Sequence, residues 1–140
     1  MALVEKIWKD KAKEQINPWA FSEVAQEWAQ RISQEGGGKE GHKNKNSQIR
    51  KYYDVIFNLN QRSKQGGGNW NFILAQLHRQ LALVHYARGR DLVTDSFVKM
   101  MEELIKAVSE DAKRGPRDLE TVAQFLEAFM AYYRECRPKD

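Results

Sequence analysis

Basic residues are concentrated in the middle third of this 140-residue chain, whose overall net charge is +4. From Lys39 to Arg90 there are ten lysines and arginines against two acids, Glu40 and Asp54, a formal charge of +8. The thirteen basic and seventeen acidic residues elsewhere give −4. This asymmetry is typical of a surface that binds a polyanion, most often nucleic acid, and the alternative is a solvated surface that serves solubility. Binding is favoured because the basic residues extend from the loops into predicted helices.

Eight of these residues are candidate contacts to a phosphate backbone: Lys43, Lys45, Arg50, Lys51, Lys64, Arg79, Arg88 and Arg90. Arg50 and Lys51 fall in the first turn of a predicted helix, where a positive charge costs about 0.3–1 kcal/mol but a bound phosphate is favoured. Arg50 could instead pair with Asp54, four residues on, whereas Lys51 has no such neighbour. Arg88 and Arg90 lie at a predicted helix end, where capping of the helix is the alternative explanation.

The other candidates differ in where the apolar pattern places them. Arg79 should face solvent, away from the apolar stripe of its helix. Lys43, Lys45 and Lys64 lie in or beside loops and are expected to make flexible, auxiliary phosphate contacts. Because basic and aromatic residues do not alternate as they do in base-reading sheet domains, we expect contacts with the backbone, independent of sequence.

Residues that could bind a metal or catalyse a reaction form no recognisable pattern. His78 and His85 are seven positions apart on one predicted helix, about 10.5 Å along its axis, which is too far for two ligands of one zinc ion. His85 falls on the apolar stripe and is predicted to be partly buried and hydrogen-bonded. The acids Asp91 and Asp95 suit a helix start better than acid–base catalysis. We therefore predict no metal, no cofactor and no enzymatic activity, although a site assembled from residues distant in sequence stays open.

Helical periodicity runs through the whole chain, and no alternating pattern of a strand is found. The first predicted helix lies within residues 1–14. The second is opened by Asn17-Pro18, carries a buried stripe that includes Trp19, and ends before Gly36. The polar loop that follows, to about residue 46, is by composition the least ordered part of the chain.

Four further helices are predicted, each from its apolar stripe and its capping residues. Ser47 caps the third and Asn69 the fourth, which ends with Gly89 as a left-handed cap. Asp91 or Thr94 opens the fifth, which Gly115-Pro116 terminates. Asp118 then begins the last helix.

The fold class expected from these elements is all-α, a compact helical bundle of about five to six helices. We expect one domain over 1–140, with N-terminal helices and a glycine-rich loop in 1–45 and a core in 46–136. The lone Cys136 fits a reducing compartment, and no membrane span or signal peptide is recognised. The protein is therefore expected to be soluble and cytoplasmic.

Three segments resemble a known family, the small subunit of the type III-A CRISPR effector complexes, or Csm complexes. Asn46–Tyr53, with the sequence NSQIRKYY, resembles the family's helix start S-Q-I-R-K-F-Y. Leu83–Arg90, LVHYARGR, is similar to its second signature, A-Y-A-x-G-R, with His85 in place of an alanine. Phe125–Tyr133, FLEAFMAYY, is similar to its C-terminal EA-x-x-A-Y helix. The three segments occur in the family's order, and the resemblance covers roughly residues 46–136.

The resemblance implies a non-catalytic, RNA-binding structural subunit for antiviral defence. Several copies would line up along the complex, against guide RNA and target RNA, beside the other subunits and neighbouring copies of the chain. At the matched positions, Arg50, Lys51 and Arg88 or Arg90 would hold RNA backbone. The alternatives are a helical protein–protein adaptor and the equivalent small subunit of a type III-B complex.

Overall fold

A computed structural model of the protein describes residues 2–12, 14–66 and 68–139. Within them the chain forms six α-helices, α1 Leu3–Ile7, α2 Ala25–Glu35, α3 Asn46–Lys64, α4 Trp70–Gly89, α5 Asp95–Lys106 and α6 Gly115–Cys136. The other regular elements are strands β1 Trp8–Asp10 and β2 Gln15–Ile16, a π-helical turn Ala20–Val24 before α2, and a 3₁₀ turn Gly38–Glu40. With 71% of the chain helical, the predicted all-α class is confirmed.

The longest helix, α6, is the centre of the bundle and packs against both α2 and α3. Helix α4 packs on the outer side of α3 and also contacts α5. The apolar stripes of the helices meet in one buried cluster, in which Ile32, Ile56, Leu104, Phe125 and Phe129 are fully buried. These side chains are buried together because the 3.6-residue periodicity of the sequence places them on the inward face of each helix.

The first helix lies within the predicted residues 1–14, but the sequence did not reveal the hairpin that follows it. α1 has five residues, and the chain then forms a short antiparallel hairpin in which Trp8 pairs with Ile16. Strands of three and two residues are too short to leave an alternating pattern in the sequence. Asn17 closes the hairpin, since its side-chain amide donates to the Lys6 carbonyl at 2.7 Å and its Oδ1 accepts from the Trp19 amide at 3.1 Å. Trp19 itself is 53% exposed, outside the buried stripe expected for it, because the π-helical turn follows it.

Two helix starts also differ from the expected ones. The N-cap of α3 is Lys45 instead of Ser47, and the Asn46 side chain donates to the Arg137 carbonyl at 3.2 Å. Helix α6 begins at Gly115 instead of Asp118, so Gly115-Pro116 starts this helix and does not terminate the one before it. Proline suits the first helical turn because the amide it lacks would have no partner there.

Of the two capping residues predicted for α4, one is confirmed. Asn69 caps the start as predicted, with its side chain accepting from the Asn71 amide at 2.8 Å. At the other end Gly89 belongs to the helix, and the left-handed position is taken by Asp91, with φ 61°. The Leu92 amide bonds back across this turn to a carbonyl of the last helical turn, as in a Schellman motif. Thr94, one of the two predicted starts, is the N-cap of α5.

The glycine-rich loop 36–45 is tied to three helices, although its composition predicted little order. The buried Asn44 side chain donates to the Ile32 carbonyl at 2.9 Å and to Thr94 Oγ1 at 2.7 Å. The Arg137 guanidinium donates to the carbonyls of Gly41, Lys43 and Asn44 at 2.7, 2.9 and 3.3 Å. Three backbone carbonyls of the loop are therefore satisfied from the C-terminal end of α6. None of the helices in the described part of the chain is long and apolar enough to cross a membrane.

Candidate nucleic-acid interface

An open groove of about 390 Å³ runs between α3 and α4. The helices are antiparallel, since the Tyr52 hydroxyl near the start of α3 donates to the Leu83 carbonyl near the end of α4 at 3.3 Å. Burial raises the pKa of the Tyr52 phenol, which therefore stays a neutral donor. Apolar groups of Tyr52, Val55, Leu83 and Ala87 line the groove, so its floor is largely hydrophobic.

Cationic side chains surround that apolar floor. Lys51 from α3 and both Arg79 and Arg90 from α4 line the groove, and all three are exposed. Among the described residues, no carboxylate lies within 4.0 Å of any of them. Two of them lie beside aromatic rings instead: Lys51 Nζ is 5.5 Å from the ring centre of Tyr52, and Arg90 Cζ is 5.7 Å from that of Tyr86. These cations are thus free of ion pairing on the described part of the protein and open to an anionic ligand.

Four other predicted contacts are paired with acids of the chain. The pairs are Lys43 with Asp91 at 3.8 Å, Arg50 with Asp54 at 3.9 Å, Lys64 with Glu120 at 3.5 Å, and Arg88 with Asp95 at 2.5 Å. Arg50 lies by a separate depression on the α6 side of α3, with Glu127 and Arg134. Lys45 is exposed at the start of α3 and does not line the groove. The structure therefore brings together three of the eight candidates.

Arg88 and Arg90, which the sequence could not separate, point to different neighbours. The Arg88 guanidinium bonds to Asp95 in the first turn of α5 and lies 3.9 Å from Asp91. This hydrogen bond lowers the pKa of the Asp95 carboxyl and raises the pKa of Arg88. Arg90 lines the groove instead. Arg88 therefore stabilises the connection between α4 and α5, whereas Arg90 is available to bind an anionic ligand.

Beyond the groove, toward the other ends of both helices, lies a cation–aromatic pair that the sequence reasoning missed. Arg62 of α3 lies over Phe72 of α4, with its Cζ 5.6 Å from the ring centre. Phe72 and Tyr86 are 49% and 65% exposed. The available signal was spacing, because Phe72, Arg79 and Tyr86 recur every seven residues and so share one helix face. We call Lys51, Arg62, Phe72, Arg79, Tyr86 and Arg90 the α3–α4 basic track.

The track is about 27 Å long, since 18 residues separate the outer members of α4, Phe72 and Arg90, at about 1.5 Å each. A second depression of about 620 Å³ lies between α1 and α5 and is lined by both signs of charge. Its lysines are neutralised, because Lys106 pairs with Glu102 at 3.7 Å and Lys11 with Asp118 at 3.0 Å. Of these two depressions, the α3–α4 groove is the one whose lining cations have no carboxylate within 4.0 Å in the described part of the chain.

The histidine prediction was wrong in one respect. His85 has a side chain that is 56% exposed, whereas partial burial was predicted, and its Nε2 lies 2.7 Å from Glu102 Oε1 on α5. Within residues 2–12, 14–66 and 68–139, no three His, Cys, Asp or Glu side chains are grouped as metal ligands would be. Burial, together with the nearby Glu135, raises the pKa of the Cys136 thiol, which keeps it in its less reactive protonated form.

The comparisons with known proteins identify the family. A comparison with protein families matches residues 20–139 to the family described as Csm2 Type III-A. The match includes α2 to α6 and the whole track, and it begins earlier than residue 46, where the resemblance seen in the sequence starts. Comparisons with curated proteins and with solved structures give no match. Because the family match covers most of the chain, this protein belongs to the Csm2 family, the small subunit of the type III-A CRISPR effector complex.

Proposed function

We propose that this protein is a non-catalytic subunit that binds the backbone of guide or target RNA through the α3–α4 basic track. The observation that carries the proposal is the convergence of Lys51, Arg79 and Arg90 on one groove without a carboxylate partner among the described residues. Unpaired, exposed cations keep their full attraction for phosphates, whereas an ion-paired cation must first give up its partner.

The side chains on the track favour recognition that does not depend on sequence. Lysine and arginine bind phosphates without reading the base, and contacts of this kind position a protein along the strand. The groove lining holds no histidine, cysteine, aspartate or glutamate, the groups that most often carry general acid–base chemistry. This composition supports a structural role, with any cleavage of RNA left to other subunits.

The test compares single alanine substitutions on and off the track. In Lys51→Ala, Arg79→Ala and Arg90→Ala, we expect weaker binding of single-stranded RNA. The plot of log affinity against log salt should become less steep, its slope losing about one unit in magnitude for each phosphate that the variant no longer binds. The matched control is Arg117→Ala, which removes an exposed arginine of α6 that pairs with Glu14 at 2.9 Å. It should leave the slope unchanged.

Arg88→Ala provides the sharpest internal comparison. Because Arg88 is engaged with Asp95, its loss should leave the salt slope close to that of the wild type, while Arg90→Ala lowers it. Thermal unfolding of every variant checks that the fold is intact. A variant with Lys51, Arg79 and Arg90 all changed to alanine, folded and with wild-type affinity and slope, would contradict the proposal.

The family is that of a subunit in a multisubunit complex. We extend the proposal to contacts with the other subunits and with further copies of this chain. We also propose that the complex works in the cytoplasm. The adaptor alternative predicts that these protein contacts are independent of RNA. Pull-down of the complex before and after nuclease treatment distinguishes the two roles. If every partner stays bound to the triple variant and the purified protein shows no affinity for RNA, the adaptor role replaces RNA binding.

A further inference from the structure

Tyr86 presents an aromatic face to solvent in the middle of positive charge. Its residue is 65% exposed, the highest value among the large hydrophobic residues exposed in the described part of the chain. The Arg90 guanidinium carbon is 5.7 Å from its ring centre, and Lys51 and Arg79 line the same groove. An exposed ring gains nothing for folding, but it is a surface on which another flat ring can stack.

The floor beside this ring is apolar and has the size of a small ligand site. Val55, Leu83 and Ala87 line the groove together with the Tyr52 ring. The groove volume of about 390 Å³ is within the range of pockets that hold small molecules. A simple phosphate would contact only the cations. The apolar floor and the exposed ring are complementary to a ligand that also has a hydrophobic, planar part.

We propose that the groove takes an unpaired nucleotide of the RNA, with its base stacked on Tyr86 and its flanking phosphates held by Lys51, Arg79 and Arg90. A nucleotide combines an anion with a flat aromatic ring, and this groove offers the complement of both. The inference rests on the proposed function and deepens it, because it assigns part of the binding energy to the base. Stacking is tolerant of base identity, so binding stays independent of sequence.

The proposal has a consequence that backbone binding alone does not have. In a duplex both faces of each base are covered by its neighbours, so the Tyr86 ring can stack only on a base that has left the helix. The protein should therefore prefer single-stranded RNA over the same sequence in duplex form. The preference should depend on the ring of Tyr86, whereas the salt slope depends on the cations.

The experiment measures affinity for a single-stranded RNA and for its duplex with Tyr86→Ala and Tyr86→Phe. For the single strand, Tyr86→Ala should lose about tenfold in affinity, near the lower end of what one stacked base contributes, with the salt slope unchanged. Tyr86→Phe keeps the ring and should bind as the wild type does. For the duplex, Tyr86→Ala should make no difference. The control Trp19→Ala removes an exposed aromatic residue that lies outside the groove and should bind normally.

A fluorescent base gives a readout that is specific for stacking. Single-stranded RNA with one 2-aminopurine should change its fluorescence on binding wild-type protein, and the change should be absent with Tyr86→Ala at saturating concentration. If Tyr86→Ala binds the single strand as the wild type does, while the three charge variants are weakened, this inference is overturned and the proposed function stands. If the charge variants also bind normally, both fail. Equal losses in Tyr86→Phe and Tyr86→Ala would assign the effect to the hydroxyl and overturn stacking.

Discussion

The glycine-rich loop 36–45 and the α3–α4 basic track are both associated with arginine side chains, but these side chains serve opposite purposes. In the loop 36–45, the positive charge that matters is Arg137, which is 0% exposed and donates to carbonyls of Gly41, Lys43 and Asn44. On the α3–α4 basic track, Arg79 and Arg90 are exposed and have no acid beside them among the described residues. The comparison teaches that charge alone does not identify a binding surface, because the terminal nitrogens of an arginine can be engaged by carbonyls of its own chain.

The difference follows from what surrounds each side chain. The planar guanidinium of Arg137 presents several donors at fixed angles, which suits a loop whose carbonyls converge on one point. Removing a cation from water is costly, so this burial requires that its donors be matched. The cations of the track lie on two regular helices, whose carbonyls accept hydrogen bonds within the helix. These cations therefore remain in water.

The largest effect is expected from Arg137→Met, which keeps much of the side-chain length and removes the donors. Carbonyls of the loop would lose their buried partner, and the free energy of unfolding should fall by about 3–5 kcal/mol. Urea denaturation followed by circular dichroism measures the loss. Arg90→Met is the matched control and should stay within about 0.5 kcal/mol of the wild type. Equal losses in the two variants would remove the distinction between the two regions.

An intermediate effect, of opposite sign in the two regions, is expected from glycine-to-alanine changes. At Gly36, the first residue of the anchored loop, an added Cβ would lie 2.4 Å from the Lys43 carbonyl oxygen, so Gly36→Ala should destabilise by about 1–3 kcal/mol. At Gly89, the last residue of α4, nothing lies within 4 Å of that position. Gly89→Ala should therefore stabilise, by up to about 1 kcal/mol, because alanine favours the helix. Thermal unfolding of both variants would show the opposite shifts, and a shared sign would contradict them.

The smallest effect is a pH dependence at the entrance to the loop. Glu35 accepts hydrogen bonds from the Ser96 amide at 2.8 Å and hydroxyl at 2.6 Å. Burial alone would raise the pKa of this carboxyl, but the Ser96 bonds, together with the Thr94 side chain and the charge of Arg31, outweigh it, and the pKa lies below its ordinary value of 4.5. A depressed folded-state pKa contributes stability above the unfolded value, and that stability is lost as the pH falls through the folded value.

Glu35→Gln should accordingly be slightly less stable than the wild type at pH 7 and should lose less stability on acidification below about pH 4.5. Urea denaturation at pH 7 and at pH 3.5 measures both quantities. Glu23→Gln, an exposed glutamate in the π-helical turn, is the control and should follow the wild type at both values. If Glu35→Gln shows the wild-type acid dependence, the Ser96 contact contributes nothing.

The sequence was sufficient to locate the long helices, but it could not predict which acids would pair with the candidate cations. Periodicity located the four long helices because each buries a regular stripe. It could not locate the hairpin that pairs Trp8 with Ile16, since its strands have three and two residues and side-chain alternation needs a longer run. Arg88 and Arg90 could not be distinguished because their difference depends on Asp95, which is brought near Arg88 by the turn into α5.

Two further features of the candidate site were also beyond sequence reasoning. Tyr86 looked like one more apolar residue of a signature motif, and only the packing of α3 against α4 leaves its ring exposed. Nothing in the local sequence distinguishes Arg137, and its burial depends on contacts with residues more than ninety positions earlier. Local patterns carry information over a few helical turns, and both features depend on contacts over longer separations.

The clamp of Arg137 on the glycine-rich loop also sets an order of events during protein synthesis. The contacts join residues separated by 93 to 96 positions, so the loop emerges from the ribosome long before the side chain that holds it. At about 5–20 residues per second, the loop and the start of α3 wait for several seconds without their anchor. During that interval the carbonyls of the loop are hydrated. The loop gains its buried hydrogen bonds only when the C-terminal end of α6 has been synthesised.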